Sequence, residues 1–164
     1  MRWIETAGGP FVLVAINDAP SWTGYRGDYE HACAVDGVTG VVGFGDIGTK
    51  KTALVIWDEP LRTAYLPERA TFVQWMYADS EDWLLRLVDT EFSSAVWEDG
   101  PIVELQDVET LFDSATPGVE LIESDFLEIR MEAGMYQVQT ADIESGDRRA
   151  ARIHRLVPMR QLPK

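Results

Sequence analysis

The sequence predicts an α+β fold, mostly antiparallel β, in a single domain spanning 1–164, with one clear helix over 79–92 and one or two short helices. Three observations carry this reading. Runs rich in Val, Ile, Thr and aromatic residues recur along the chain between turns containing Gly and Pro. Helical spacing is convincing in one stretch, SEDWLLRLVDTEF. With 164 residues, 46% of them hydrophobic and 26% charged, the chain can bury one sizeable core and is too apolar to remain disordered.

At the start of the chain, RWIET and FVLVAI flank Ala7-Gly8-Gly9-Pro10, predicting two short strands joined by a tight reversal. SWTGYRGDYEHACAV is irregular, with a helical turn around Tyr29 to Ala34. VTGVVGF and TALVIW are β-branched runs that read as a hairpin. After a turn at Asp58-Glu59-Pro60, LRTAYL and ATFVQWMY stand either side of Pro67-Glu68-Arg69.

In the 79–92 helix, Asp79 or Ser80 can cap the N-terminus and acids fill the first turn, where the helix dipole favours them. Leu84, Leu87, Val88 and Phe92 fall on one face. SAVWE and PIVEL read as a strand pair around Asp99-Gly100, and DVETLFDSA as a short helix. FLEIRME alternates, with Phe126, Glu128, Arg130 and Glu132 on one side and Leu127, Ile129 and Met131 on the other. With MYQVQTADI and RAARIHRLV, joined through Ala133-Gly134 and Ser145-Gly146-Asp147, it predicts a three-stranded meander.

The motif with the most chemical promise is GFGDIGTKKT, from Gly43 to Thr52, whose first six residues fit G-x-G-x-x-G. A dinucleotide site needs a helix after the third glycine, so that backbone amides meet the pyrophosphate. Here a Val- and Ile-containing run follows, which favours strand, so the glycines serve a hairpin loop. His31 and Cys33 are two apart, which on a strand would share a face, but nothing else supports a nucleophile there. Two histidines and one cysteine cannot assemble a zinc site without several carboxylates, and DSED at 79–82 lacks the spacing of a calcium loop. No metal or cofactor is expected.

Charge is unevenly placed. The net charge is −14, and residues 79–125 hold fourteen acids against one base, Arg86. The segment 148–164 holds six bases and no acid. Such a chain should be repelled by nucleic acid and anionic membranes and attracted to basic partners. The basic C-terminal segment could also fold back onto part of the acidic one. Six tryptophans suit a protein that binds another protein, a lone cysteine suits a reducing compartment, and no apolar run is long enough to span a bilayer. MRWIETAGGPFVLVAIND does not follow the pattern of a signal peptide, so a cytoplasmic location is expected.

Taken together, several segments resemble the immunity protein 21 family of bacterial polymorphic toxin systems. RWIETAGGPFVLV is similar to its W-x-E-x-x-G-G-P opening, and DYEHACAVDGVTGVVGFG to its D-Y-D-R-A-C-A-V segment. ALVIWDEPLRTAYLPERATFVQWMYADSE resembles its A-L-V-L-x-D-E-P…Y-L-P-E…F-x-R-W-x-x-A-D-S stretch. VWEDG, LFDSATPG and GMYQVQTADI…RIHRLVP follow in the family's order.

The resemblance implies a cytoplasmic antitoxin that binds a cognate toxin protein and blocks it without catalysis. Within that reading the expected contacts, with a basic toxin, are Asp79, Glu81, Asp82, Asp89, Glu91, Glu98 and Asp99, with Trp97 as an aromatic anchor. The competing expectation is a small hydrolase using paired carboxylates or His31 and Cys33.

Overall fold

Each of the predicted β-branched runs must find neighbours for its backbone and cover for its side chains, and among the described residues ten strands do so in two sheets. The structure is a computed structural model that describes residues 1–57, 61–146 and 148–160. The Asp58-Glu59-Pro60 turn and Asp147 lie outside the described residues. Strands β1 (Phe11–Ala15), β2 (Thr39–Phe44), β3 (Lys51–Ile56), β7 (Val108–Asp113) and β8 (Phe126–Arg130) form one sheet in the order β2-β3-β1-β7-β8. Strands β4 (Thr63–Leu66), β5 (Thr71–Tyr77), β6 (Glu98–Leu105), β9 (Gly134–Ser145) and β10 (Arg149–Pro158) form the second, in the order β4-β5-β10-β9-β6. Every pairing is antiparallel.

The sheets pack face to face. Phe11, Leu13, Leu54, Leu111 and Ile129 of the first meet Phe72, Val103, Val138 and Leu156 of the second. The outer faces are covered as well. Val12, Val14, Val55 and Phe112 lie under Trp22 and Ala32, from a segment that contains the short helix α1 (Asp28–Cys33). Val73, Ile143, Ala151 and Ile153 lie under Leu84, Leu87 and Val88 of helix α2 (Glu81–Glu91). Strands buried on both faces explain why FVLVA and TALVI are continuously apolar rather than alternating.

The β2–β3 hairpin forms as expected, with Val41 opposite Leu54, and Ser80 caps α2 by accepting from the Trp83 amide at 3.3 Å. Four expectations are corrected. RWIET does not pair with FVLVAI: Ile4 makes a single bridge to Thr63 of the second sheet, and β1 finds β3 and β7 instead. DVETLFDSA is not a helix. Its short apolar run fits either period, and β7 is held between β1 and β8, where extended backbone satisfies both neighbours.

SAVWE and PIVEL are not a strand pair. β6 is one strand whose register shifts between Asp99 and Ile102, at Gly100-Pro101, and residues 94–97 lie outside it. The meander is half right: β9 and β10 form a hairpin, but β8 pairs with β7 in the other sheet. Alternation in FLEIR correctly gave the buried face, Leu127 and Ile129, but alternation does not name a neighbour.

Because α2 rests on the second sheet through Leu84, Leu87 and Val88, truncating one of them leaves a cavity that the rigid sheet cannot close. Leu87→Ala should lower unfolding free energy by about 3 kcal/mol, read as a lower denaturant midpoint with unchanged slope.

Candidate partner-binding surface

The glycine-rich loop falls between β2 and β3, where Gly45 and Gly48 take φ of +88° and +104°, and it runs on into strand rather than helix. That geometry suits a turn and offers no helix N-terminus to a phosphate. His31 and Cys33 sit on α1, not on a strand, so two residues of separation turn their side chains well apart. His31 lies 3.8 Å from Asp28, while the Tyr29 phenol is held above its usual pKa by its hydrogen bond to Cys33 and by desolvation. No group of three or more His, Cys, Asp or Glu among the described residues is placed to hold a metal ion.

The expected contact residues separate into two groups and a remainder. At the C-terminal end of α2 a continuous ladder crosses the outer face of the second sheet. Asp99 Oδ1 accepts from Gln139 Nε2 at 2.6 Å, and Gln139 Oε1 accepts from Arg155 Nε at 2.7 Å. The Arg155 guanidinium stacks 4.1 Å from the Trp97 ring centre, Trp97 meets Phe92 edge-on at 5.2 Å, and Arg69 lies 4.7 Å from the Phe92 ring centre. Arg69 closes the chain on Asp89 at 3.0 Å. Trp97 is therefore half-buried, with Phe92 and Arg155 against its ring. Partial burial lowers the Arg155 pKa and Asp99 opposes that, so the two charges sense one another. Glu91 stands beside the ladder, its carboxylate 3.4 Å from the Ser94 hydroxyl.

The second group lies at the N-terminal end of α2. Asp79 and Asp82 are exposed without a salt bridge among the described residues, and Glu81 lies 3.4 Å from the Met1 amino group. Arg149 covers the neighbouring Trp83 ring at 5.6 Å. The C-terminal arginines thus do fold back toward the acidic segment, but Arg149 and Arg155 meet its tryptophans rather than its carboxylates. Arg152 instead grips Asp142 with two hydrogen bonds, of 2.7 and 2.9 Å, which hold that carboxyl below its usual range.

Glu98 belongs to neither group. It borders a cavity of about 270 Å³ lined by Val38, Val96, Thr140, Ala141, Asp142 and Arg152. The acidic segment as a whole is not one surface, since it runs through α2, an edge of one sheet and the interior of the other.

The family is decided by sequence over that frame. Residues 2–149 match the model of immunity protein 21, a range that takes in both helices and nine strands and ends on the first residue of β10. The chain belongs to the immunity protein 21 family. No curated protein and no solved structure matches it. No described helix is long and apolar enough to cross a membrane.

In this immunity protein Glu109 and His154 are buried titratable groups with shifted pKa values. Both face the interior between the sheets. Glu109 caps the β6–β7 turn, its Oε1 accepting from the Gln106 amide at 2.5 Å, and burial pushes its carboxyl from 4.5 up to about 7. The cavity beside it, about 120 Å³, is too small for more than a few waters, and its acid is already engaged. Its hydrogen bond to the Gln106 amide gives Glu109 a structural role at that turn.

His154 is fully buried between Thr140 Oγ1 and Gln74 Oε1, each at 2.8 Å, and burial lowers it to about 3, so it stays neutral. The helix reading of 107–115 hid Glu109, and no local signal marks Arg69, Gln139 and Arg155 as one ladder.

The folded chain keeps the Glu109 proton up to about pH 7 whereas the unfolded chain releases it near 4.5, so this group takes stability away as pH rises through that window. His154 acts oppositely, costing stability as pH falls from 6.5 toward 3 because only the unfolded chain can take the proton. Glu109→Gln should therefore stabilise the protein at pH 8, by about 3 kcal/mol at most, and leave it unchanged at pH 4. Denaturant titrations at both pH values measure the difference.

Proposed function

We propose that this chain is a cytoplasmic antitoxin that binds and neutralises a cognate, basic polymorphic toxin domain without catalysis. Membership of the immunity protein 21 family supports the class of function. The single observation that carries the basic partner is the exposure of Asp79, Asp82, Glu98 and Asp99 without salt bridges among the described residues, on a chain of net charge −14. A protein that holds phosphate or nucleic acid is basic where it does so, and a negative surface both blocks that region and speeds encounter.

The contact surface in this reading is Asp79, Glu81, Asp82, Asp89, Glu91, Glu98 and Asp99, with Trp97 supporting it from within the ladder. Glu81 and Asp89 already have partners, so their contribution is the smaller. Nucleic acid and anionic membrane are disfavoured by the same charge, and the lone free thiol of Cys33 suits a reducing compartment.

Co-expression with the toxin domain encoded by the neighbouring reading frame tests the function. Growth should be restored and a complex should co-purify; a confirmed toxin with no rescue and no complex would contradict the pairing. For the surface, the double variant E98K/D99K should slow association about tenfold and flatten its dependence on salt. An unchanged rate in stopped-flow mixing would remove both residues from the interface.

A further inference from the structure

The edge of the first sheet, β2, runs beside the edge of the second, β6. A Cβ on Gly100 would come within 2.7 Å of the Thr39 hydroxyl, so the strands are in close contact at that level. At their other ends, Leu105 of β6 and Thr52, which pairs with Gly43 of β2, line one small cavity. The two edges therefore run in the same sense, and Val41 and Ile102, each two residues beyond that contact, stand at the same level of the seam. Both are exposed, at 39% and 48%, and Val96, just before β6, is 83% exposed. Glu98, Asp99 and Glu104 lie on β6 itself, all three exposed and none in a salt bridge among the described residues.

We propose that this β2–β6 seam is the core of the toxin interface, with Val41, Val96 and Ile102 as its apolar centre and the three carboxylates as its rim. This rests on the antitoxin reading and locates its contacts. Three large aliphatic side chains left in water on adjoining edges form a patch rather than scattered exceptions. An apolar centre inside a polar rim is the anatomy of a protein interface.

The rim's charge selects the occupant, a basic segment of the toxin domain. A second copy of this chain meeting the seam about a two-fold axis would set the three carboxylates against their own kind. Strand addition is blocked at Pro101, which lacks an N–H, so the seam is read through its side chains. A lysine or arginine of the partner fits the cavity of about 270 Å³ at the start of the seam. Glu98 would meet its charge there and Val38 and Val96 its stem, beside the mutually paired Arg152 and Asp142. Asp142 does not compete for it, because Arg152 holds that carboxylate.

Binding kinetics against the toxin domain from the neighbouring reading frame, in catalytically inactive form, test this. V96D/I102D should weaken affinity about a hundredfold, mainly through faster dissociation, and the loss should persist at high salt. E98Q/D99N/E104Q should slow association about tenfold at low salt and approach wild type at high salt. V119D/I122D, an exposed apolar pair in the segment between β7 and β8, should bind as wild type.

Thermal melts matching wild type establish that the variants fold, and the conservative pair V96S/I102S replaces V96D/I102D if it does not. Wild-type affinity in the seam variants, or loss in V119D/I122D alone, would overturn the proposal while leaving the antitoxin reading intact. Self-association of the wild type that V96D/I102D abolishes would overturn it in favour of a second copy. Absence of binding and protection by the wild type would instead bring down the antitoxin reading, and the seam with it.

Discussion

Both sheets are buried on both faces, and the rest of the structure follows from that constraint. A five-stranded sheet covered by a second sheet on one side and by helical segments on the other has no broad face left to offer a ligand. What remains open to solvent are the outward sides of α2 and of the α1 segment, the loops and the sheet edges. Function is thereby confined to side chains that the core does not need. Large enclosed pockets with converging polar groups, the usual setting for small-molecule chemistry, have little room in such a stack.

One set of polar groups inside the layers is satisfied locally. Thr63, Gln74, His154 and Thr140 form one hydrogen-bonded row across the inner face of the second sheet, and Gln74 donates to Thr63 at 3.3 Å. Outside that sheet, arginines lie over aromatic rings: Arg62 over Trp3 and Trp75, Arg69 over Phe92, Arg149 over Trp83 and Arg155 over Trp97. Arg149 and Arg155 thus place positive charge beside the acidic segment while stacking on its rings rather than pairing with its carboxylates. The negative field toward a partner survives, while the tryptophans are committed to holding α2 and its following loop in place.

The parts of the fold legible in the sequence are the local ones. The β2–β3 hairpin follows from β-branched runs and glycines a few residues apart, and α2 from its cap and apolar stripe. β7 was not legible, because Leu111 and Phe112 fit either period and only the flanking strands decide between them. Nor was the partner of β8, since alternation gives a buried face but no neighbour. The surface shows the same division. The carboxylates were readable as charges, but the packing of Phe92 and Arg155 against Trp97 was not. The seam joins Val41 to Ile102, residues far apart in the chain, so no window of sequence contains it.

The central claim is that a toxin domain seats on the β2–β6 seam, and hydrogen exchange on the complex measures it most directly. With the inactive toxin domain bound, amides in 39–43 and 98–104 should exchange more slowly than in the free chain, while those in 118–124 should be unchanged. Slowed exchange confined to 118–124, or to the solvent side of α2 with the seam unaltered, would contradict the account.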